Sequence, residues 1–446
     1  MGKYFGTDGI RGEANNTLKS ETAYKVGRFA GYYYKKNGKG KILIGKDTRL
    51  SSSMFESLLA AGISASGCDA YLLGYCSTPS LAYVTMLDEF DCGIMISASH
   101  NPYTDNGIKI FGNKGIKLSD EIEKLIEDYI DNPVGVEFKT KDEIGQIYSY
   151  EKGKEEYKNW LHSLYPIDLT GYKLLVDLAN GSNCVMAKDV LAKTNASVDY
   201  INDEFNGVNI NNGCGSTHLE MLKEKIKEKD YDLGFAFDGD ADRVLFVDSK
   251  GEAVDGDHLM YLLSKYLKDN NKLKNNTLVT TVMSNMGLFK ALDKCDIKTA
   301  ITSVGDKNVL DCMLNNDYCI GGEQSGHIIY SNDSNFGDGL KTALLVLTAL
   351  KEKDMTIDEA CKELVIYPQL LVNQRVVDKT IVLNDESINT EIKKVGEELG
   401  DEGRILVRPS GTEPLIRVMV EAKDDETCQK CVYHIIDLIK AKGYAA

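Results

Sequence analysis

Short apolar runs alternate with longer amphipathic runs along most of the 446-residue chain. Residues 41–48 predict a strand, residues 52–67 a helix that ends at a glycine, and residues 68–75 another strand. A strand over 92–97 then leads into a polar loop, and Ser119 stands where it would cap the following helix. Alternation of this kind is typical of α/β domains with largely parallel sheets.

The same alternation restarts further along the chain and changes near its end. New strands are predicted to begin near residues 172 and 367, and residues 233–257 predict two strands around an acidic loop. The last part instead predicts strand, loop and strand over 403–422, followed by an amphipathic helix over 426–443. We therefore expect three α/β domains with mixed sheets and a smaller C-terminal α+β domain, with bounds at 1–150, 151–252, 253–366 and 367–446.

Charge and cysteine content narrow the class of protein. With 52 basic and 68 acidic side chains the net charge is −16, which disfavours nucleic acid and anionic lipid as partners. The eleven cysteines are odd in number and scattered, which indicates reduced thiols rather than a disulfide framework. No run approaches the roughly 18 apolar residues of a membrane span. The sequence therefore predicts a cytoplasmic protein without membrane insertion.

Arginine is scarce, so its positions are informative. The chain has eight arginines against 44 lysines, and arginine is the residue that suits fixed, bidentate contacts to anions. Five of the eight lie in or beside polar loops that carry serine, carboxylate or hydroxyl groups: Arg11, Arg49, Arg243, Arg408 and Arg417. This distribution indicates a small phosphorylated substrate.

A polar loop with a candidate nucleophile follows the strand predicted over 92–97. Ser99 stands there beside His100 and Asn101, and Lys109 lies ten residues further on. Ligands of open α/β sheets bind at the carboxyl ends of the strands, and a serine nucleophile needs a base and a charge-stabilising partner. An ordinary polar turn is the alternative interpretation.

Three aspartates stand at alternate positions directly after an apolar run, namely Asp238, Asp240 and Asp242. Carboxylates spaced in this way can converge on one hard cation. An EF-hand is excluded, because its glycine and glutamate positions are occupied by Arg243 and Ser249. The adjacent arginine favours a site that holds a cation and a phosphate together, and an acidic turn is the alternative.

Three further loops carry groups suited to a phosphorylated ligand. A loop near the C-terminus combines two arginines, two hydroxyls and a glycine, namely Arg408, Ser410, Gly411, Thr412 and Arg417. A second loop offers small and polar groups for sugar hydroxyls, namely Glu323, Ser325 and His327. The third is a tight N-terminal loop that ends in Arg11. Structural turns are the alternative for each loop.

With these motifs in this order, the whole chain resembles the α-D-phosphohexomutase family. The matching segments are FGTDGIRG at 5–12, ISASHNP at 96–102, DGDADR at 238–243, GEQSGH at 322–327 and RPSGTEP at 408–414. The N-terminal motif, NNGCGSTH at 211–218 and TVMSNMGL at 281–288 resemble the branch of the family that acts on glucosamine phosphates. The resemblance implies four domains around a central cleft.

The resemblance also implies a role for each motif residue. The catalytic residues would be Ser99, which becomes phosphorylated, His100, Lys109 and Arg11. Mg²⁺ would be held by Ser99, Asp238, Asp240 and Asp242. The substrate would be bound by Arg243, Lys307, Glu323, Ser325, His327, Arg408, Ser410, Gly411, Thr412 and Arg417. Lys307 stands where the family often has arginine, which keeps the charge but loses the bidentate fork.

The reaction implied is the interconversion of glucosamine 6-phosphate and glucosamine 1-phosphate, which supplies UDP-N-acetylglucosamine synthesis. It would pass through a phosphoserine enzyme and a bound glucosamine 1,6-bisphosphate, which also serves as activator. Within the family the alternatives are phosphoglucomutase and phosphomannomutase; outside catalysis, the alternative is a sugar-phosphate sensor. The partner is then a small phosphosugar, with no nucleic acid and no membrane, and the oligomeric state, a homodimer included, is left open.

Overall fold

The computed structural model describes residues 2–6, 8–410 and 413–446 of the chain. Residue contacts divide the chain into two compact units. The first unit comprises Met1–Val282 with Lys298–Cys361, and the second comprises Met283–Ile297 with Lys362–Ala446. Within the described ranges, no helix combines the length and the apolar character needed to cross a membrane.

The first unit begins with a mixed sheet flanked by helices. Its strands are β1 (Phe5–Gly6), β2 (Gly9–Glu13), β3 (Lys41–Lys46), β4 (Asp69–Tyr75), β5 (Cys92–Ile96), β6 (Asp105–Gly112) and β7 (Ile147–Ser149). The helices are α1 (Ser20–Asn37), α2 (Ser52–Ala65), α3 (Thr78–Leu87), α4 (Asp120–Asp131) and α5 (Lys152–Leu164). The strand order is β1-β2-β6-β5-β3-β4-β7. β3, β4, β5 and β7 run parallel, whereas β6 is antiparallel to both β5 and β2.

A second mixed sheet follows in the same unit. Its strands are β8 (Lys173–Asp177), β9 (Ser197–Ile201), β10 (Leu233–Phe237), β11 (Val244–Asp248) and β12 (Ala253–Val254), and its helices are α6 (Ala187–Ala192) and α7 (Glu220–Lys225). The strand order is β12-β11-β10-β8-β9, with β10 parallel to β8 and antiparallel to β11. The turn from β10 to β11 is therefore a hairpin, and it carries the acidic loop.

The third sheet has the order β14-β13-β15-β16, given by β13 (Thr277–Thr281), β14 (Lys298–Thr302), β15 (Ile320–Gly322) and β16 (Ile328–Tyr330). Five helices belong to this stretch of sequence: α8 (Gly256–Asp269), α9 (Met286–Lys294), α10 (Asp306–Asn316), α11 (Gly339–Lys353) and α12 (Ile357–Cys361). Of these, α9 is part of the second unit.

The second unit is built on an antiparallel sheet of order β17-β19-β18, with β17 (Gln369–Arg375), β18 (Arg404–Pro409) and β19 (Leu415–Glu421). The helices of this part are α13 (Lys379–Asn384), α14 (Glu386–Leu399) and α15 (Asp425–Ala441). The fully buried Glu421 joins α9 to the sheet, because it accepts hydrogen bonds from the Met286 amide at 2.9 Å and from Arg404 Nε at 2.7 Å.

The predicted fold class is confirmed, with mixed sheets in three domains and a small C-terminal sheet domain. The strands predicted over 41–48, 68–75 and 92–97 are β3, β4 and β5, and the helix predicted over 52–67 is α2. The expectation of largely parallel sheets was wrong in part, because each of these three sheets also contains antiparallel strands.

Ser119 is the N-cap residue of α4, as predicted, but the expected side-chain contact is not formed within the described part of the chain. Three acidic residues in the first turn, Asp120, Glu121 and Glu123, complement the helix N-terminus instead.

Candidate active site

Ser99 lies in the loop between β5 and β6 and is completely buried. Its φ of 51° is in the left-handed region, which few residues other than glycine adopt. Its hydroxyl donates to Asp238 Oδ2 at 2.5 Å, and His100 Nδ1 lies 3.4 Å from Ser99 Oγ. A serine held in this conformation beside a carboxylate and an imidazole is suited to a functional role.

Arg49 holds the backbone of the Ser99 loop. Its guanidinium is buried, and Nε donates to Asp47 Oδ2 at 2.8 Å. The remaining N–H groups donate to the carbonyl oxygens of Ser99, Asn101, Pro102 and Asp105. Since these five bonds use every donor of the guanidinium, Arg49 has none left for an anionic ligand. Arg49 lies beside the Ser99 loop, as the sequence indicated, but it was wrong to count it among the arginines that indicate a phosphorylated substrate.

The predicted aspartate cluster forms in the hairpin loop between β10 and β11. Asp238, Asp240 and Asp242 are buried, and one carboxylate oxygen from each lies within 4.8 Å of the others. Within the described residues, Asp240 Oδ1 and Asp242 Oδ1 have no hydrogen-bond partner. Buried, unsatisfied carboxylate oxygens are costly, and hard cations prefer oxygen ligands of this type. The cluster can therefore bind a metal ion.

The electrostatics of the cluster point the same way. Burial, and then the like charges of Asp242 and Asp240, raise the pKa of Asp238 well above its usual range. For Asp242, burial acts in the same direction, but the Lys109 ammonium and His327 outweigh it and lower the pKa. The three carboxylates thus repel one another, and a cation bound among them would relieve that repulsion.

Lys109 brings a positive charge to the same cluster. It lies on β6, its side chain is 1% exposed, and its Nζ is 2.7 Å from Asp240 Oδ2 and 2.9 Å from Asp8 Oδ2. Burial alone would lower the pKa of Lys109, but Asp240, Asp8 and Asp242 together raise it above its ordinary value. The side chain is therefore an ammonium ion at neutral pH.

His100 is neutral, and its contact with Arg243 explains why. Arg243 Nη1 lies 3.2 Å from His100 Nδ1, and because a guanidinium can only donate, Nδ1 must be the acceptor. Burial, followed by the charges of Arg243 and Arg11, lowers the pKa of His100 to about 4. Arg243 Nε itself is buried without a hydrogen-bond partner among the described residues, so this donor is open to an anion.

Asp8 connects the cluster to a cavity in the same unit. It forms ion pairs with Arg11 and Lys109, and its Oδ1 lies 2.6 Å from Lys117 Nζ. Lys117 in turn lies 2.7 Å from Asp306 Oδ2. The cavity has a volume of about 240 Å³, and its polar lining includes Asp8, Lys117, Asp242, Asp306, Lys307 and His327.

Of the remaining predicted residues of the first unit, Lys307 and His327 line this cavity, and Glu323 and Ser325 lie in the same β15–β16 loop as His327. His327 is buried, with Nδ1 3.6 Å from Asp242 Oδ1. Glu323 Oε1 accepts from the Gly305 amide at 3.0 Å, and Ser325 Oγ is buried without a hydrogen-bond partner in the described ranges. Lys307 forms an ion pair with Asp120.

In the second unit, Arg408 and Arg417 lie directly opposite each other on β18 and β19. Burial, followed by the charge of Arg417, lowers the pKa of Arg408. Neither arginine forms an ion pair with a described carboxylate, and both Nε atoms are buried without a hydrogen-bond partner among the described residues. Two opposed guanidinium groups without a carboxylate are suited to an anion. The predicted residues Gly411 and Thr412 lie outside the described residues, and Ser410 beside them is buried.

Several supporting residues escaped the sequence analysis. Thr78 Oγ1 donates to Asp240 Oδ2, and Asn211 Nδ2 donates to the Ser99 carbonyl at 2.8 Å. Gly239 allows the acidic loop to approach Ser99 closely, because a Cβ there would lie 2.5 Å from the Ser99 carbonyl oxygen. Asn211 falls in the segment NNGCGSTH that marked the branch of the family, but nothing in the sequence around Thr78 indicates its partner.

Comparison with known proteins places this geometry in context. The chain matches the four domains described as phosphoglucomutase/phosphomannomutase: alpha/beta/alpha domain I over residues 2–134, domain II over 155–251, domain III over 255–367 and the C-terminal domain over 371–438.

Curated relatives match over the full length. The chain is 52% identical to a phosphoglucosamine mutase of Lachnoclostridium phytofermentans over 445 residues, which is 100% of this chain and 99% of the relative. It is 46% identical to the phosphoglucosamine mutase of Bacillus subtilis over 450 residues, with 99% of each chain covered.

Solved structures share the fold. A phosphoglucomutase/phosphomannomutase family protein from Burkholderia thailandensis superposes with a TM-score of 0.83 at 22% identity, covering 99% of this chain and 98% of the other. The N-acetylphosphoglucosamine mutase of Aspergillus fumigatus, solved with GlcNAc-6P and magnesium, superposes with a TM-score of 0.75 at 18% identity, covering 98% and 95%.

Proposed function

The chain belongs to the phosphoglucomutase/phosphomannomutase family, and from this premise we propose that it interconverts glucosamine 6-phosphate and glucosamine 1-phosphate. The observation that carries the proposal is the buried hydroxyl of Ser99, hydrogen-bonded to the first of three aspartates in a cluster that also contacts Lys109 and the Arg243 amide. Relatives that are 46–52% identical and are named phosphoglucosamine mutase support the amino-sugar substrate.

Ser99 is the phosphoryl carrier in this proposal. The phosphorus–oxygen bond to Ser99 breaks as a new one forms to the free hydroxyl of the sugar phosphate, and that hydroxyl loses its proton. The product is glucosamine 1,6-bisphosphate. It reverses its orientation in the site and returns its other phosphate to Ser99. The bisphosphate is thus both the intermediate and the activator that reloads an unphosphorylated enzyme.

The buried aspartates fit a hard divalent cation, which we take to be Mg²⁺. Asp238, Asp240 and Asp242 would hold it together with the phosphorylated Ser99, and two of these carboxylates have an oxygen without a hydrogen-bond partner in the described residues. When bound, Mg²⁺ supplies charge neutralisation at the transferred phosphate.

Cationic side chains complete the charge balance. A phosphoserine of about −2 together with three aspartates exceeds the charge of one divalent ion, and Lys109, Arg243 and Arg11 offset the remainder. Lys109, as an ammonium ion, also has a proton to give, whereas His100, as a neutral imidazole, can accept one. This division supports the acid–base roles that we assign to the pair.

Other loops recognise the parts of the ligand that do not react. We assign the sugar hydroxyls to Glu323, Ser325 and His327, and a further substrate contact to Lys307. The non-reacting phosphate is assigned to Arg408, Ser410, Gly411, Thr412 and Arg417. The unpaired guanidinium Nε atoms of Arg408 and Arg417 support the latter assignment. We also infer a cytoplasmic location, which the free thiols of the described cysteines support.

Turnover of three hexose phosphates tests the substrate. The purified chain is assayed with the 6-phosphates of glucosamine, glucose and mannose, with Mg²⁺ and the matching 1,6-bisphosphate. The proposal expects the highest kcat/KM for glucosamine 6-phosphate. A preference for glucose or mannose phosphate would instead assign a phosphoglucomutase or phosphomannomutase, and no turnover with any of them, together with an unphosphorylated Ser99, would favour a sensor.

A further inference from the structure

We propose that Thr78 is a positioning residue for the metal site: its hydroxyl fixes the Asp240 carboxylate so that one oxygen stays available to the cation. This inference rests on the metal-dependent function proposed above, but it concerns a residue outside every motif that suggested that function. Thr78 is the first residue of α3, lies in the same unit as the aspartates and is buried.

The two oxygens of Asp240 have different surroundings. Oδ2 accepts hydrogen bonds from the Thr78 hydroxyl and from Lys109 Nζ, the latter at 2.7 Å. Oδ1 is buried and has no hydrogen-bond partner within the described residues. Both donors to the Asp240 carboxylate thus bind Oδ2, and Oδ1 stays available to a ligand from outside the protein.

This asymmetry matters because Lys109 and a cation compete for the same carboxylate. The terminal torsion of an aspartate is soft and roughly two-fold, so a carboxylate held by the ammonium alone could rotate and present either oxygen to it. The Thr78 hydroxyl is a second donor to the same oxygen and anchors Oδ2. Outer partners of metal ligands that fix orientation in this way typically affect metal affinity.

The hydroxyl of Thr78 can be removed without loss of the backbone contacts that Thr78 makes. The backbone amide of Thr78 donates to the Asp240 carbonyl at 3.0 Å, and this bond joins α3 to the acidic loop whatever the side chain is. The start of the helix is stabilised independently by Ser77, whose side chain accepts from the Ser80 amide. Thr78→Val therefore removes the hydroxyl while keeping the shape and these backbone contacts.

The experiment measures binding of Mn²⁺ alone to the full chain, without substrate, by the electron paramagnetic resonance signal of the free ion. Thr78→Val is expected to raise the dissociation constant about 10- to 100-fold, and Thr78→Ser, which keeps the hydroxyl, is expected to stay near wild type. The matched control is Thr85→Val on the same helix, because the Thr85 hydroxyl is buried and donates to the Leu81 carbonyl at 2.7 Å. This control should bind Mn²⁺ as wild type does.

Wild-type affinity in Thr78→Val, or equal losses in both valine variants, would overturn the inference. If thermal unfolding shows that Thr78→Val does not fold, Thr78→Ala and Thr78→Ser form the test pair, and equal Mn²⁺ affinity in these two would overturn it as well. A wild-type chain that binds Mn²⁺ but turns over no hexose phosphate would contradict the proposed function and leave the inference about Thr78 standing. A wild-type chain that binds no Mn²⁺ would contradict both.

Discussion

The hydroxyl of Ser99 donates a 2.5 Å hydrogen bond to Asp238, a residue 139 positions further along the chain. The bond joins the loop after β5 in the first sheet to the hairpin after β10 in the second. Ser99 is held from the other side by Arg49 and Asn211, which both donate to its carbonyl oxygen at 2.8 Å. The candidate nucleophile is therefore positioned only when both sheets have formed.

Loss of one cluster carboxylate should weaken Mg²⁺ binding. Asp240→Asn removes a charge from the cluster, so the Mg²⁺ concentration for half-maximal turnover should rise by more than the roughly 10- to 100-fold typical of outer partners. Steady-state turnover against Mg²⁺ concentration measures this. Asp248→Asn is the control, because Asp248 is a buried carboxylate at the end of β11 that, among the described residues, accepts side-chain hydrogen bonds from two nearby backbone amides only. An unchanged Mg²⁺ dependence of Asp240→Asn would make the acidic loop structural.

Loss of an arginine that we assign to the non-reacting phosphate should raise KM more than it lowers kcat. Arg417→Ala is expected to raise KM about 10- to 100-fold, since a charge-assisted hydrogen bond is worth about 1.5–3 kcal/mol, and Arg408→Ala should behave alike. A contact made equally in the ground and transition states changes KM and leaves kcat largely intact. Lys393→Ala on α14, where the side chain is 80% exposed, controls for the loss of one positive charge. A large fall in kcat at unchanged KM would move these arginines to the reacting phosphate.

Substitutions of two buried arginines, Arg49 and Arg28, test whether the bonds to the Ser99 loop affect catalysis as well as stability. The lysine of Arg49→Lys has fewer hydrogen-bond donors than a guanidinium. Each buried acceptor left without a donor lowers the free energy of unfolding by about 1–3 kcal/mol. We expect a lower free energy of unfolding and, because Ser99 is one of the acceptors, a lower kcat.

The control for this pair is Arg28→Lys. Arg28 is equally buried and donates to the carbonyls of Ala65 and Val136, away from the Ser99 loop. It should lose stability and keep kcat. Denaturant unfolding measures the stability of both variants, and steady-state kinetics measures their kcat. Equal kcat in the two variants would show that the Arg49 bonds serve stability alone.

Alkaline pH should destabilise the fold through Cys76. Burial raises the pKa of this thiol from 9.0 to about 12. Because the folded pKa is the higher one, the contribution to stability is complete below pH 9 and is lost as pH rises from 9 to about 12. The loss amounts to about 1.4 kcal/mol per pH unit.

Cys76→Ala lacks this thiol, so the free-energy difference between wild type and variant should shrink steadily above pH 9 and stay constant below it. Urea unfolding of both proteins across this range measures the difference. Parallel pH profiles of the two proteins would contradict the assignment.

The sequence predicted those parts of the fold that depend on local pattern. Apolar periodicity is a property of a few consecutive residues, so β3, α2 and β4 were found close to their observed bounds. β6 itself was not predicted, and neither was the reversal of the chain after the Ser99 loop, because strand pairing is a tertiary property that periodicity does not record.

The site divides in the same way. Asp238, Asp240 and Asp242 are close in sequence, and their convergence could be predicted from spacing alone. Thr78 and Asp240 are 162 positions apart, so only the folded structure brings them together. Arg49 was misjudged for a related reason, since the loop carbonyls that use four of its five donors are 50 to 56 positions away.

Phosphate transfer through Ser99 is the central claim, and one measurement tests it most directly. Wild type and Ser99→Ala are incubated with glucosamine 1,6-bisphosphate and Mg²⁺, the intact mass of each protein is recorded, and turnover of glucosamine 6-phosphate is followed by phosphorus NMR. Wild type should gain one phosphate and form glucosamine 1-phosphate. Ser99→Ala should gain none and form no product, while its thermal unfolding stays close to wild type, because a loop serine reduced to alanine loses few contacts. Substantial turnover by Ser99→Ala would contradict the account.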